Sequence, residues 1–238
     1  MKALYHRFAV CISLAFLLAS CASAPNISLE KAKAGPISTV ALLRITESQN
    51  FLVHNLSGLS ALGGAIGGAI AGGAHADRAK QFADAYNAGS TKLSVSLVDD
   101  FQREFLASGK QVLYTPDEFA KLKDKVDDYS HIRTDKDAIL SVWFGPVGYV
   151  ADGVIDAPYE PWMVVNVRLL QGKTHQILSQ KTYTAGYKSK LDGAVFVPCA
   201  TAYRFNTFEK LMADFAGSVR ALSECQKAIV RQAVQDLT

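Results

Sequence analysis

Between Phe51 and Ala74 the chain carries no formally charged side chain and seven glycines. On a helix, Gly64, Gly68 and Gly72 fall on one face at four-residue spacing, with Gly63 and Gly67 beside them. Leu59, Leu62, Ile66 and Ile70 form a ridge on roughly the opposite face. A bare groove backed by a branched ridge is how helices approach one another closely in membranes. The stretch is also longer than the roughly 18 apolar residues that mark a candidate span. Each interior glycine costs a helix about 1 kcal/mol relative to alanine, so seven cost roughly 6 kcal/mol in water. Three structures stay open: a membrane or oligomerisation helix where lipid or a close partner offsets that cost, a glycine-rich loop, or an ordinary buried helix. No two of these glycines are separated by one residue and no Gly-Lys-Ser/Thr follows, so the segment is not a nucleotide site.

The N-terminus supplies an address. Lys2 and Arg7 precede an apolar run from Phe8 through Ala19, too short for a span and shaped like a secretory signal peptide. It ends in Leu18-Ala19-Ser20-Cys21, which resembles the lipobox of bacterial lipoproteins. The resemblance implies that residues 1–20 are removed and that Cys21 becomes the lipidated first residue. Its thiolate is the nucleophile that accepts the lipid. Two or more acyl chains then anchor stably, where one would not. Ala22 follows instead of the aspartate that retains enteric lipoproteins in the inner membrane, which implies the outer membrane, facing the periplasm. The uncharged segment in turn resembles the glycine-zipper segments of envelope proteins. With Cys11 in the leader and Cys21 acylated, Cys199 and Cys225 remain, an even pair in a compartment that permits disulfides. They are expected to be bonded.

Residues 21–35 read as a lipidated tether and residues 36–238 as one periplasmic α/β domain, interrupted by the glycine-rich segment 51–74. Ile37 to Ile45 is a β-branched, buried strand. His75 to Asn87 is a polar helix closed by Gly89. Leu93, Leu97, Phe101 and Phe105 recur every four residues on a second helix, capped by Ser90 or Thr91 and ended by Gly109. Gln111 to Tyr114 is a short strand. Thr115-Pro116-Asp117-Glu118 has the form of a capping box, opening a helix that buries Phe119, Leu122 and Val126. Ala138 to Phe144 is a strand broken at Gly145-Pro146, and 162–170 and 175–183 flank a hairpin turn. Asn206-Thr207-Phe208-Glu209 opens a long C-terminal helix, with Ser223 as an alternative start of a second one. This order gives a mixed sheet packed with helices: a parallel crossover first, then an antiparallel meander.

The order resembles the periplasmic α/β domain of curli-secretion-channel lipoproteins and of lipoprotein activators of penicillin-binding proteins. The strand Ser38-Thr39-Val40-Ala41-Leu42-Leu43, the helix end Leu106-Ala107-Ser108-Gly109 and Asp137-Ala138-Ile139-Leu140 carry it, with the hairpin over residues 167–178. The glycine segment departs from that pattern, and no functional residue carries over.

Chemistry is sparse. His54, His75, His131 and His175 form no metal-ligand spacing, so no metal or cofactor is implied. No Gly-x-Ser-x-Gly elbow exists. Asp127, Asp128, Asp135 and Asp137, interleaved with lysines and Arg133, read as a solvated charged turn. Formal charge is only +3, Lys2 and Arg7 included, with no basic stripe for nucleic acid. Tyr159 and Trp162, on a proline-stiffened and aromatic stretch from Asp156, are the candidate partner contact. The expected function is non-catalytic: envelope assembly, a transport accessory role or regulation of a cell-wall enzyme. The partners would be membrane lipid through Cys21 and a second copy or another envelope protein. A lipid-anchored periplasmic hydrolase is the alternative.

Overall fold

A computed structural model describes residues 26–30, 35–56, 64–153, 157–188, 191–199 and 203–238, with backbone alone for 64–72. The lipobox, Cys21 and most of the tether lie outside the described residues. Among the described residues the fold is a single α/β domain, a seven-stranded mixed sheet with four helices.

The parallel half is built around β1 (Thr39–Leu43), which lies between β3 (Gln111–Thr115) and β6 (Ala138–Ala151) and runs parallel to both. β2 (Phe51–Asn55) pairs with the second half of β6, also parallel. Gly148 makes that pairing fit: its φ is +153° and a Cβ there would run into the backbone of Leu52. The antiparallel half is β6, β7 (Tyr159–Gln171) and β8 (Ile177–Gly186), with the short β9 (Val195–Val197) parallel at the far edge. Asp137 ties the halves together. Its carboxylate accepts hydrogen bonds from the Ser38 and Thr39 N–H groups and from Thr39 Oγ1, which hold it below the usual carboxylate range.

Helices α1 (Gly64–Ala88), α2 (Leu93–Ala107), α3 (Phe208–Ala213) and α4 (Phe215–Leu237) complete the chain. α2 and α4 cover one face of the sheet. Leu93, Leu97, Phe101 and Phe105 meet Leu222, Ile229, Val230 and Ala233 in the main core. The far half of α1 joins through Phe82 and Tyr86, which pack against Phe51, Tyr149 and Phe215. A smaller cluster of Ala41, Leu43, Tyr129, Ile132, Ile139 and Leu170 lies apart from this core, with Ala120 packed against it.

Several expectations change. Residues 51–74 are not one apolar unit, because Phe51–Asn55 is a strand of the sheet. The helix that follows runs unbroken from Gly64 through the polar stretch to Ala88. No helix among the described residues is long and apolar enough to cross a membrane. Residues 116–128 form no helix. After a turn, β4 (Lys121–Lys123) and β5 (Val126–Asp128) make a small hairpin, and Leu122 and Val126 are 75% and 67% exposed. The physical reason is the turn: Asp124 and Lys125 both have positive φ, the signature of the two-residue hairpin loop. β6 does not stop at Gly145-Pro146 but absorbs them as a bulge between Phe144 and Val147, where proline's missing N–H is tolerated. α2 is capped neither by Ser90 nor by Thr91. Glu47 accepts from Ser94 N–H and Oγ, and Tyr86 Oη accepts from Leu93 N–H, so distant side chains satisfy the free donors of the first turn. In the C-terminal region the helix break falls at Asp214, whose carboxylate caps α4 at Gly217 N–H, and Ser223 lies inside α4.

Candidate functional site

The face of the sheet turned away from α4 is where the polar and aromatic side chains gather. On β7, Met163, Val165, Val167 and Leu169 alternate into the core, so Trp162, Asn166 and Arg168 point the other way. Register extends this into rows. Ser141 of β6 and Gln180 of β8 flank Arg168, and Trp143 and Thr182 flank Asn166. Thr182 Oγ1 donates to Asn166 Oδ1 at 2.7 Å, and Trp162 Nε1 donates to Thr184 Oγ1 at 3.1 Å.

Arg168 organises the face. Its Nη1 donates to Asp127 Oδ2 at 2.7 Å and to Tyr129 Oη at 2.8 Å, and its Nε donates to Gln180 Oε1. The guanidinium lies 5.1 Å from the Trp143 ring and 5.6 Å from the Tyr129 ring. Tyr129 Oη donates to Ser141 Oγ at 3.2 Å, and burial pushes its phenol up. Arg168 thereby fastens the β4–β5 hairpin to the sheet, with its side chain only 12% exposed. At the other end Tyr187 donates to Asp152 Oδ2 at 2.6 Å, a bond that pushes its phenol up to about 12, and its ring meets Trp162 edge-on at 6.3 Å.

The sequence-predicted residues are placed as follows. Trp162 lies on this face, half-buried. Tyr159 does not: it is 3% exposed, the first residue of β7, and packs in the main core. It also pairs with Phe205 through backbone bonds in both directions. The expected exposed contact therefore reduces to Trp162. Cys199 and Cys225 are disulfide-bonded, tying the segment after β9 to the middle of α4. Gly64, Gly68 and Gly72 lie on the helical backbone of α1. The acidic run is not a solvated turn throughout, since Asp127 pairs with Arg168 and Asp137 holds β1. Sequence reading missed Arg168, Asn166 and Trp143; the signal was the strict alternation of Trp162, Val164, Asn166 and Arg168 along one apolar strand.

The histidines stand apart from this face. His54 and His75 stack at 4.9 Å where β2 meets α1, and burial and the neighbouring ring both lower the pKa of His54. His75 Nε2 and His175 Nε2 lie within hydrogen-bond distance of backbone groups of Asn55 and Ile132. A cleft of about 470 Å³ runs between the α1–α2 turn and α4, past Tyr86, Phe215 and Val219. Its charged rim is already partnered, Lys227 with Glu224 at 2.8 Å and Arg220 with Tyr203 at 3.1 Å.

The chain matches no protein-family model, and no curated protein matches it in sequence. Solved structures resemble it distantly. A Xanthomonas campestris protein of the DUF330 family is 12% identical over 88% of this chain and 84% of its own, with a TM-score of 0.43. A hypothetical protein of Chlamydia trachomatis is 10% identical over 84% and 96%, with a TM-score of 0.39. A dodecameric PelC variant from Paraburkholderia phytofirmans is 11% identical over 85% and 91%, with a TM-score of 0.32.

Arg168→Gln strips partners from Asp127, Tyr129 and Gln180 at once and should lower unfolding free energy by about 1–3 kcal/mol. Asp127→Asn, at the more exposed end of the pair, should cost less than about 1 kcal/mol. Urea denaturation of both variants measures the difference, and equal, negligible losses would show that the face is not organised by Arg168.

Proposed function

We propose that this chain is a lipid-anchored envelope protein with a non-catalytic role, presenting its α/β domain to the periplasm from the outer membrane. The work it supports is assembly, a transport accessory role or regulation of a cell-wall enzyme. The observation that carries the reading is the Cys199–Cys225 bond. Such bonds persist outside the reducing cytosol, where a lipobox would also send the chain. Cys21 then supplies the membrane attachment.

For a binding role, the polar face on β6, β7 and β8 offers fixed polar groups and aromatic rings. The glycine face of α1 offers a second contact, to another copy or to an envelope partner.

Mass spectrometry of the membrane fraction should find Cys21 N-terminal and acylated, and Cys21→Ala should release the protein from membranes. An unacylated N-terminus at another residue would refute the anchor. For α1, Gly68→Leu should weaken crosslinked species in membranes through lost close packing, although leucine raises helix propensity. Crosslinks as strong as wild type would remove the glycine face from the account.

A further inference from the structure

Strand β3 ends the sheet. It pairs with β1 on one side, and no strand among the described residues pairs with its other side. The direction of its free groups follows from one bond. Gln111 N–H donates to Ser38 O, toward β1. Both main-chain polar groups of a residue point to the same side of a strand, and the side alternates. Leu113 and Thr115 therefore also face β1, while Val112 and Tyr114 direct their N–H and C=O groups out of the sheet. Natural edges are blunted with charge, proline or a bulge. This one has none inside the strand: Gln-Val-Leu-Tyr-Thr is uncharged and β-prone, and Leu113 is 53% exposed.

We propose that β3 is a self-association edge, pairing antiparallel with β3 of a second copy across a two-fold axis at Leu113. Three observations select this occupant and this register. First, the arrangement sets Val112 opposite Tyr114 of the other copy, so the outward N–H and C=O groups of both residues are satisfied on both chains. Second, a slip that centres the axis on Tyr114 would set Val112, inside the strand, against Pro116, which has no N–H to give, whereas the proposed register sets Pro116 only against Lys110, whose own N–H is already donated to Phe105 O. Third, the proposed register brings the Lys110 end of each strand, where the ammonium donates to Ile37 O at 2.6 Å, to the Pro116–Asp117 end of the other, opposite charges at both ends of an uncharged strand. Leu113 then meets its own copy in a non-hydrogen-bonded pair, the closer of the two antiparallel pair types. The edge is separate from the glycine face of α1 and from the lipid anchor, so this inference stands or falls without either.

Cysteine crosslinking of the full chain reads the register directly. At a non-hydrogen-bonded antiparallel pair the Cα atoms lie about 4.5 Å apart, within disulfide range. Leu113→Cys should give a disulfide-linked dimer under mild oxidation. Leu106→Cys, more open to solvent on α2 at 71% against 53%, should stay monomeric and serves as the collision control. Gln111→Cys mixed with Thr115→Cys should crosslink, since these positions face each other, and Gln111→Cys alone should not. Leu113→Cys dimers no more abundant than those of Leu106→Cys would overturn the proposal, and would be the result if the edge serves an extended segment of another protein. Crosslinking of Gln111→Cys with Leu113→Cys in preference to Thr115→Cys would overturn the register.

Discussion

The docking of α4 on the sheet is the constraint from which the rest follows. Val219, Leu222, Cys225, Ile229, Val230 and Ala233 are buried along one side of this helix, in the core shared with Met163, Val165 and Tyr183. Polar fastenings fix its rotation and depth. Tyr149 donates to Ser218 O at 2.8 Å near one end. Gln226 donates to Ser96 Oγ and Asp100 Oδ2 on α2 in the middle. Lys181 and Tyr183 reach Asp236 at the other end. Burial alone would push that carboxyl up, but Lys181, Tyr183 and Gln232 together hold it below the usual range. A buried group held in this way is costly to unpartner, so each fastening resists sliding of the helix.

Once α4 claims one side of β7 and β8, strand alternation fixes what the other side must be. The residues left over are Trp162, Asn166, Arg168, Gln180, Thr182 and Thr184, and their mutual hydrogen bonds make a polar layer instead of a second core. The smaller apolar cluster on that side is closed by the segment around Ala120 to Ile132, held in turn by Arg168. The Cys199–Cys225 bond links the irregular chain after β9 to the same helix, so redox state and helix docking are coupled. A loop closed over roughly 26 residues stabilises by about 3–4 kcal/mol in the chain-entropy view.

Where spacing and local chemistry agreed, the sequence was readable. The four-residue recurrence from Leu93 to Phe105 and the β7–β8 hairpin appear at close to their expected bounds, and the apolar face of the C-terminal helix appears on α4, after a break at Asp214. The cysteine pair was legible too, because only two cysteines lie beyond residue 21. The failures share a cause: a local signal overruled by a distant one. Thr115 to Glu118 looks like a capping box, and residues 119, 122 and 126 keep helical spacing. Two positive-φ residues at Asp124 and Lys125 turn the segment into a hairpin that Arg168 holds from 41 residues away. Tyr159 looked like a loop aromatic because nothing local shows that it pairs with Phe205. The cap on α2 comes from Glu47, which no pattern near Ser90 reveals. In the candidate site, alternation along β7 was visible, but the charge balance of Arg168 depends on a carboxylate supplied by another element.

Native-state hydrogen exchange on the oxidised full chain tests the central role of α4 most directly. The account predicts that amides of residues 218–237 and of β6, β7 and β8 share one slowest opening, and that reducing the disulfide lowers the protection of both by the same amount. If α4 instead opens as its own, less protected unit while the strands stay closed, the helix is an attachment to a self-sufficient sheet, and the account is wrong.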